Sequence, residues 1–226
     1  MRILEREFDS TKIQLDYNKV AWFYNLWSRL TESKAAKYVI ESAEIKNGET
    51  ILEIACGTGV VFEQIVKRNP NGKNTGIDLS PAMLDKAKKR LSKLNNANYK
   101  LIEADALNLN FKEETFNVII NNFMIDLMPV EFFDKLAKEF YRLLKSDGIV
   151  VLSTFSFGKK KINKIWIWIA KRFPGLLTGC RPVSFREYLI NAGFEIEKDF
   201  EISQNTFPSE VIKARKKAKA GRVNFS

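Results

Sequence analysis

The stretch Thr50-Ile-Leu-Glu-Ile-Ala-Cys-Gly-Thr-Gly59 decides the fold of this chain. Its first six residues are mostly apolar and predict a buried strand, and the segment 60–67 after it predicts a helix. Gly57 and Gly59 allow positive φ and let a ligand approach the backbone closely. The helix would direct its free N–H groups at whatever lies on the turn. A strand, a glycine turn and a helix in this order predict a nucleotide-binding unit.

A second short strand that ends in an acid follows about twenty residues later, in Thr75-Gly-Ile-Asp-Leu-Ser80. Asp78 would stand at the tip of the second strand, where a carboxylate can accept hydrogen bonds from both ribose hydroxyls of a nucleoside. Together the glycine turn and this acid predict an adenosine-type cofactor.

A dinucleotide fits the glycine turn poorly. The third position of its G-x-G-x-x-G pattern needs a small residue for close packing, and here that residue is Phe62. Glu53, near the end of the predicted strand, would repel a pyrophosphate but attract a cationic amino-acid group. S-adenosylmethionine carries adenosine at one end and such a group at the other. We therefore predict this cofactor, with S-adenosylhomocysteine as its product.

Four segments in chain order carry a resemblance to a known family. They are Glu53-Ile-Ala-Cys-Gly-Thr-Gly59, Gly76-Ile-Asp-Leu-Ser-Pro-Ala-Met-Leu84, Glu103-Ala-Asp-Ala106 and Leu143-Leu-Lys-Ser-Asp-Gly148. They resemble the successive motifs of class I S-adenosylmethionine-dependent methyltransferases, over about residues 15 to 215. The Ala-Cys-Gly-Thr-Gly form is similar to the branch of ubiquinone/menaquinone-biosynthesis and lipid methyltransferases. Ala55 stands where many members have the first glycine.

The alternation of strands and helices predicts an α/β fold. We expect a Rossmann-like, doubly wound, seven-stranded sheet with its last strand antiparallel and helices on both faces. The predicted strands are 50–55, 74–78, 99–103, 116–121, 148–154, 194–200 and 205–213. We expect one methyltransferase domain over 1–226, with a helical lid (10–47), a helical substrate-cap insertion after strand five (158–182) and a basic tail without fixed structure (214–226).

The cofactor should lie at the carboxyl ends of the strands, as ligands of open α/β sheets do. Asp105 is placed to accept from the adenine amino group, and Leu79 and Met83 could pack on adenine. Tyr17 and Tyr24 match aromatic positions that the resemblance implies for a lid, although packing of an amphipathic helix would also explain them. The predicted cofactor-binding residues are Tyr17, Tyr24, Glu53, Ala55, Cys56, Gly57, Thr58, Gly59, Asp78, Leu79, Met83, Asp105, Ala106, Asn121 and Asn122.

One acid, Asp126, lies in the otherwise apolar loop after the fourth strand. An acid with apolar neighbours can have a raised pKa and act as a general base, so it is the candidate catalytic residue. Capping of the next turn is the alternative. Phe123, Trp166 and Arg181 are the residues predicted to contact substrate, although a structural ion pair would also explain Arg181.

The composition limits the chemistry. The 226 residues include no histidine, which excludes His-based triads and His-containing zinc sites. The two cysteines lie far apart in the sequence and give no disulfide framework, so we expect no metal site and a reducing compartment. The charged segment 1–7 lacks the apolar run of a signal peptide. A cytoplasmic protein is therefore expected, as a monomer or homodimer.

Two segments carry more than the whole net charge of +10. The segment 159–172 has six basic residues and no acid, and so does the segment from 211 onward. The rest of the chain is slightly acidic, so a uniformly basic nucleic-acid binder is not indicated.

The basic segment 159–173 is also apolar, with a helical stripe at 162, 165, 166, 169 and 173. A helix rich in Lys and Trp fits peripheral contact with an anionic membrane. A packed substrate cap and a dimer surface are the alternatives, and both would still make the pocket hydrophobic.

The residues and the resemblance together imply methyl transfer to a small hydrophobic acceptor, which is quinone-, phenol- or lipid-like. Two alternatives stay open. One is an RNA methyltransferase that uses the basic segments, and the other is a non-catalytic cofactor-binding scaffold or membrane-peripheral protein.

Overall fold

A seven-stranded sheet forms the centre of the computed structural model, which describes residues 30–95, 97–172 and 180–217. Its order is β3-β2-β1-β4-β5-β7-β6, and β7 runs antiparallel to both of its neighbours whereas the first five strands are parallel. The predicted sheet is confirmed, including its antiparallel last strand. The strands are β1 (Thr50–Ile54), β2 (Lys73–Asp78), β3 (Tyr99–Glu103), β4 (Phe116–Asn122), β5 (Leu144–Phe155), β6 (Phe194–Gln204) and β7 (Phe207–Lys216).

Helices cover both faces of the sheet, as predicted. The helices of the described residues are α1 (Ser33–Ala43), α2 (Val60–Arg68), α3 (Pro81–Leu91), α4 (Phe133–Leu143), α5 (Lys164–Arg172) and α6 (Arg186–Asn191). Because successive strand residues point to opposite faces, Leu52 packs in the core that holds α4 and α6, whereas Ile51 packs in the core that holds α1 and α2. Short 3₁₀ helices lie at Ile125–Leu127, Val130–Phe132 and Lys161–Asn163.

Local sequence signals set two helix boundaries. The Ser80 hydroxyl accepts from the Met83 N–H, 3.3 Å away, and Pro81 fills the first helical position of α3. α1 ends at Ala43, before the predicted helical end at residue 47, because Glu44 adopts a left-handed conformation at φ 47° and stops the helix ahead of Gly48.

β5 begins four residues before the predicted start of strand five. The segment 145–148 reads as a turn, but it forms an irregularity within the strand: Phe116 pairs with Leu144, and the next pair is Val118 with Ile149. The turn residues are therefore taken up as a bulge rather than as the end of an element.

The carboxyl-terminal basic segment differs from its prediction. β7 continues to Lys216, so residues 214–216 belong to the sheet rather than to a tail. Lys213 is buried and pairs with Glu44 and Glu197, each at 3.1 Å. Three further cations also have acidic partners: Arg215 with Glu197, Lys216 with Glu114, and Lys217 with Glu195. Four of the six positive charges of this segment are thus paired within the fold.

The insertion after β5 contains α5, and the helix presents a different face to the protein than its apolar stripe predicts. Ile167 and Ala170 are its buried residues, whereas Ile165 is 52% exposed. No helix of the described ranges is long and apolar enough to cross a bilayer.

Candidate functional site

The glycine turn after β1 is built from left-handed residues. Ala55, Gly57 and Gly59 have φ of 60°, 54° and 77°. Gly59 also lies close to the facing helix, since a Cβ there would come within 3.0 Å of the Ala87 Cβ. Thr58 is buried, and its carbonyl accepts from the Arg90 Nε at 2.9 Å. The turn is therefore fixed by backbone conformation and by α3, and α2 begins directly after it.

Asp78 links this turn to the end of β2. One carboxylate oxygen accepts from the Gly57 N–H at 2.8 Å and the other from the Ser80 N–H at 2.9 Å. Burial raises the pKa of Asp78, although the N–H groups of Ser80, Gly57 and Leu79 act to lower it. Asp78 is therefore held rigidly beside the turn, with part of its surface open.

Two further groups of the turn region are buried close to Asp78. Burial, and next the charge of Asp78, raise the pKa of Glu53 well above its ordinary value. Its Oε2 atom has no hydrogen-bond partner among the described residues. Burial also raises the pKa of the Cys56 thiol, with Glu53 and Asp78 adding to the effect, so this cysteine stays protonated and is not an activated nucleophile.

The end of β3 lies next to β2. The Ala104 N–H donates to the Asp78 carbonyl at 3.1 Å, which brings Asp105 to the same edge. Asp105 is half-buried and accepts from the Leu107 N–H at 2.9 Å. The remaining predicted adenine contacts are the half-buried Leu79 and Ala106 and the buried Met83.

The end of β4 lies beside β1. Asn121 is fully buried, and its amide donates to the Ile54 carbonyl at 2.9 Å while its Oδ1 has no partner among the described residues. Asn122 accepts from the Ser153 hydroxyl. Phe123 is buried, adopts φ 54° and packs near Phe207, so its ring is part of the core.

Asp126 lies in the 3₁₀ helix after β4 and is fully buried. Burial raises its pKa from 3.8 to about 6, even though the N–H groups of Asp126 and Phe155, the Cys180 thiol and the Arg181 charge lower it. Neither carboxylate oxygen has a hydrogen bond of normal geometry within the described residues. This is the raised pKa that the apolar neighbours predict, and it suits a group that exchanges a proton near neutral pH.

Arg181 and Trp166 have partners within the fold. The buried Arg181 guanidinium donates to the main-chain oxygens of Asp126 and Met128, which fixes the loop that carries Asp126. The Trp166 indole donates to the Thr206 hydroxyl at 3.0 Å. Contact of either side chain with substrate stays a prediction. Tyr17 and Tyr24 lie outside the described residues.

Two polar residues of the neighbouring strands are not among the residues predicted for the site. Thr154 of β5 is fully buried and pairs across the sheet with Glu210 of β7. Burial, with the charges of Asp199 and Glu201, raises the pKa of Glu210 to about 7. No local signal distinguishes Glu210, because the neighbouring strand β6 also carries acids, at Glu195, Glu197, Asp199 and Glu201.

Buried polar atoms without partners concentrate at these strand ends. Native proteins leave few such atoms, so a cluster of them needs a physical reason, and a missing ligand is one. Among the described residues the set includes Glu53 Oε2, Asn121 Oδ1, both Asp126 carboxylate oxygens, Thr154 Oγ1 and Glu210 Oε2. The acceptors from Glu53 and Asn121 suit a ligand that brings donors, such as an amino-acid ammonium group.

Comparison with known proteins agrees with this geometry. A methyltransferase-domain family matches residues 51–148, from β1 to the bulge in β5. Malonyl-[acyl-carrier protein] O-methyltransferase 1 of Ilyobacter polytropus is 31% identical over 147 residues, which are 65% of this chain and 53% of that protein. Demethylmenaquinone methyltransferase of Lactobacillus johnsonii is 31% identical over 153 residues, 66% of this chain and 62% of that protein. The chain thus spans little more than half the length of these relatives.

Solved structures share the fold. The [4+2]-cyclase SpnF matches with a TM-score of 0.76 at 17% identity, over 97% of this chain and all of that one. Magnesium protoporphyrin IX methyltransferase from Synechocystis, solved with S-adenosylhomocysteine, matches with a TM-score of 0.71 at 16% identity, over 92% of this chain and all of that one. Residues 51–148 thus match a methyltransferase domain, and the chain has the Rossmann-like fold of the class I S-adenosylmethionine-dependent methyltransferases.

Proposed function

We propose that this protein transfers the methyl group of S-adenosylmethionine to a small hydrophobic acceptor. The observation that carries the proposal is the set of unpartnered buried acceptor atoms at the strand ends, beside a glycine turn that is fixed by Asp78. Bound S-adenosylmethionine would supply an electrophilic methyl carbon, with a neutral thioether as the leaving group when the nucleophile of the acceptor takes the methyl group.

Each residue of the site would contact the part of the cofactor that its position allows. Glu53 would take the cationic amino-acid group, because a buried carboxylate gains most when a positive charge becomes its neighbour. Asp78 would accept from the ribose hydroxyls and Asp105 from the adenine amino group. The remaining contacts to the cofactor would come from the glycine turn, at Ala55, Cys56, Gly57, Thr58 and Gly59, and from the side chains around it, Leu79, Met83, Ala106, Asn121 and Asn122.

Asp126 would act on the acceptor. With a pKa of about 6 it is ionised at neutral pH and can take the proton that an acceptor hydroxyl, amine or acidic carbon loses as the new bond to methyl forms. Much of the remaining catalysis would come from holding the nucleophile in line with the methyl carbon.

A hydrophobic acceptor is favoured by the residues around Asp126. Phe123, Met124, Ile125 and Met128 all lie buried in the same loop. The relatives named above act, by their names, on demethylmenaquinone and on malonyl-[acyl-carrier protein], so an apolar ring or an acyl chain is the first acceptor class to test. Both cysteines are buried thiols, which suits a reducing compartment, and we propose on that basis that the protein is cytoplasmic.

Calorimetric titration with S-adenosylhomocysteine tests the cofactor. We expect micromolar binding by the native chain and a loss of about tenfold or more in Asp78→Ala, because a charge-assisted pair of hydrogen bonds is removed. Asp85→Ala removes an exposed acid from α3 and is the matched control, which should bind normally. Absence of binding by folded native protein would overturn the proposal.

Turnover is tested separately, with labelled methyl donor and quinol, phenol and lipid extracts. Two results together would support the hydrophobic acceptor: the label appears in a product that organic solvent extracts, and Asp126→Asn lowers the rate at which this product forms. Label in RNA would instead favour the nucleic-acid alternative, and binding without any turnover would favour the non-catalytic scaffold.

A further inference from the structure

The outer face of the insertion after β5 combines apolar and basic side chains. Ile162, Ile165 and Trp168 are 57%, 52% and 57% exposed, and they follow one another at intervals of three residues. No other stretch of seven described residues exposes three large apolar side chains. These three residues, with the lysines that surround them, are called the insertion patch below.

The insertion patch is strongly basic. Lys160, Lys161, Lys164 and Lys171 are all exposed, and residues 159–172 contain no acid. None of these four lysines forms an ion pair with another residue of the described ranges. This contrasts with Lys213 and its neighbours in β7, whose charges are neutralised by acids.

The inner side of the 3₁₀ helix at Lys161–Asn163 and of α5 holds the patch in a fixed orientation. The Asn163 amide donates to the Thr206 carbonyl at 2.6 Å, and the Trp166 indole donates to the Thr206 hydroxyl at 3.0 Å. The Trp166 ring packs edge-on against Phe207, with ring centroids 5.3 Å apart. The exposed apolar side chains of the insertion are thus presented outward by a fixed support.

This support also places the patch near the candidate site. Phe207 stacks on Phe155, with ring centroids 4.7 Å apart, and lies 6.4 Å from the Phe123 ring. Phe155 is the last residue of β5, and Phe123 directly follows β4. One continuous aromatic contact therefore links α5 to the strand ends at which the acceptor would react.

We propose that the insertion patch docks on an anionic lipid surface. Trp168 and Ile165 would enter the boundary between headgroups and acyl chains, and the lysines would lie among the anionic headgroups. The charge of the patch selects this partner: an apolar face ringed by unpaired lysines is complementary to anionic lipid, whereas two copies of it would repel each other. Docking would bring the acceptor site to a surface in which hydrophobic molecules dissolve.

Flotation with lipid vesicles tests this inference independently of catalysis. We expect the native chain to bind vesicles of phosphatidylcholine with phosphatidylglycerol and not to bind vesicles of phosphatidylcholine alone. Added salt should release the chain from the anionic vesicles. Replacing Lys161, Lys164 and Lys171 by Gln should weaken binding on the order of 100-fold, about fivefold for each lysine. Ile165→Ser with Trp168→Ser should weaken it about tenfold or more.

Matched variants separate the patch from general charge. Lys88, Lys89 and Lys93 are exposed at the end of α3, and changing all three to Gln alters the net charge equally. Ile102→Ser with Ile190→Ser removes two exposed apolar side chains elsewhere. Both control variants should bind vesicles like the native chain.

Three outcomes would overturn the inference: no binding to anionic vesicles, equal loss in the α3 control, or a native dimer that the Trp168→Ser change converts to monomer. The last would show that the patch is a self-interface. Each variant is also titrated with S-adenosylhomocysteine, so failure of membrane docking is distinguishable from failure of the proposed function.

Discussion

Asp126→Asn should change the pH dependence of stability by a calculable amount. Burial raises the pKa of Asp126 from 3.8 to about 6, so the folded protein holds this proton over a pH range in which the unfolded chain has lost it. Stability therefore falls as the pH rises above 3.8, and the loss is complete above about 6. At about 1.4 kcal/mol per pH unit, the ionised Asp126 destabilises the fold by about 3 kcal/mol at neutral pH.

The asparagine variant lacks this titration. Its amide donors face the N–H and thiol groups that now surround the carboxylate, which costs about 1–2 kcal/mol at every pH. We therefore expect the variant to be less stable than the native chain at pH 4 and more stable at pH 7. The difference between the two free energies of unfolding should change by about 2.4 kcal/mol over this range, because part of the titration of the unfolded chain is already complete at pH 4, and this change does not depend on the constant cost.

Urea unfolding of both chains at several pH values measures this difference. Titrations of Glu53, Asp78 and Glu210 are common to both chains and cancel in the difference. Asp85→Asn changes an exposed acid and should follow the native curve. A difference between Asp126→Asn and native that stays constant within about 0.5 kcal/mol would refute the reasoning, since Asp126 would then titrate as it does in the unfolded chain.

Four further substitutions have expected outcomes. Gly59→Ala should cost about 2–4 kcal/mol in urea unfolding, from left-handed strain and the close approach of α3, whereas Gly57→Ala, with open space around its Cβ, should cost only the strain of about 1–2 kcal/mol. Glu210→Gln should flatten the fall in stability between pH 4.5 and about 7, because burial raises the pKa of this acid; an unchanged slope would argue against it. Arg181→Met should cost about 3 kcal/mol, since two buried carbonyls lose their donor, and should raise the pKa of Asp126 further, as an upward shift of the Asp126-dependent pH step would show.

The sequence predicts the part of the sheet formed by β1, β2 and β3 well, because the signals there are local. A glycine turn with positive φ, a Ser cap with Pro at the first helical position, and an acid at a strand tip each act within a few residues. Ala55 also adopts positive φ, at 60°, which explains why a glycine is common at this place in the family.

The rest depends on contacts between distant residues. The apolar residues of α5 are spread around the helix, so their periodicity does not predict which side faces the protein. The orientation of α5 is set by contacts of Trp166 with Thr206 and Phe207, forty residues later in the sequence. Thr154 and Glu210 become neighbours only through the antiparallel pairing of β5 with β7. The charges at the end of β7 are neutralised by acids as far away in sequence as Glu44.

The position of β7 has a consequence for how the chain reaches this structure. β7 follows β6 in the sequence but lies between β5 and β6 in the sheet. During synthesis, β5 and β6 therefore emerge with no partner for their facing edges, and the slot between them stays open until residues 207–216 leave the ribosome. The earlier strands can pair as they appear, so assembly of this half of the sheet is delayed to the last step. A nascent chain that stalls before this step exposes two unpaired strand edges, and such edges are prone to aggregate.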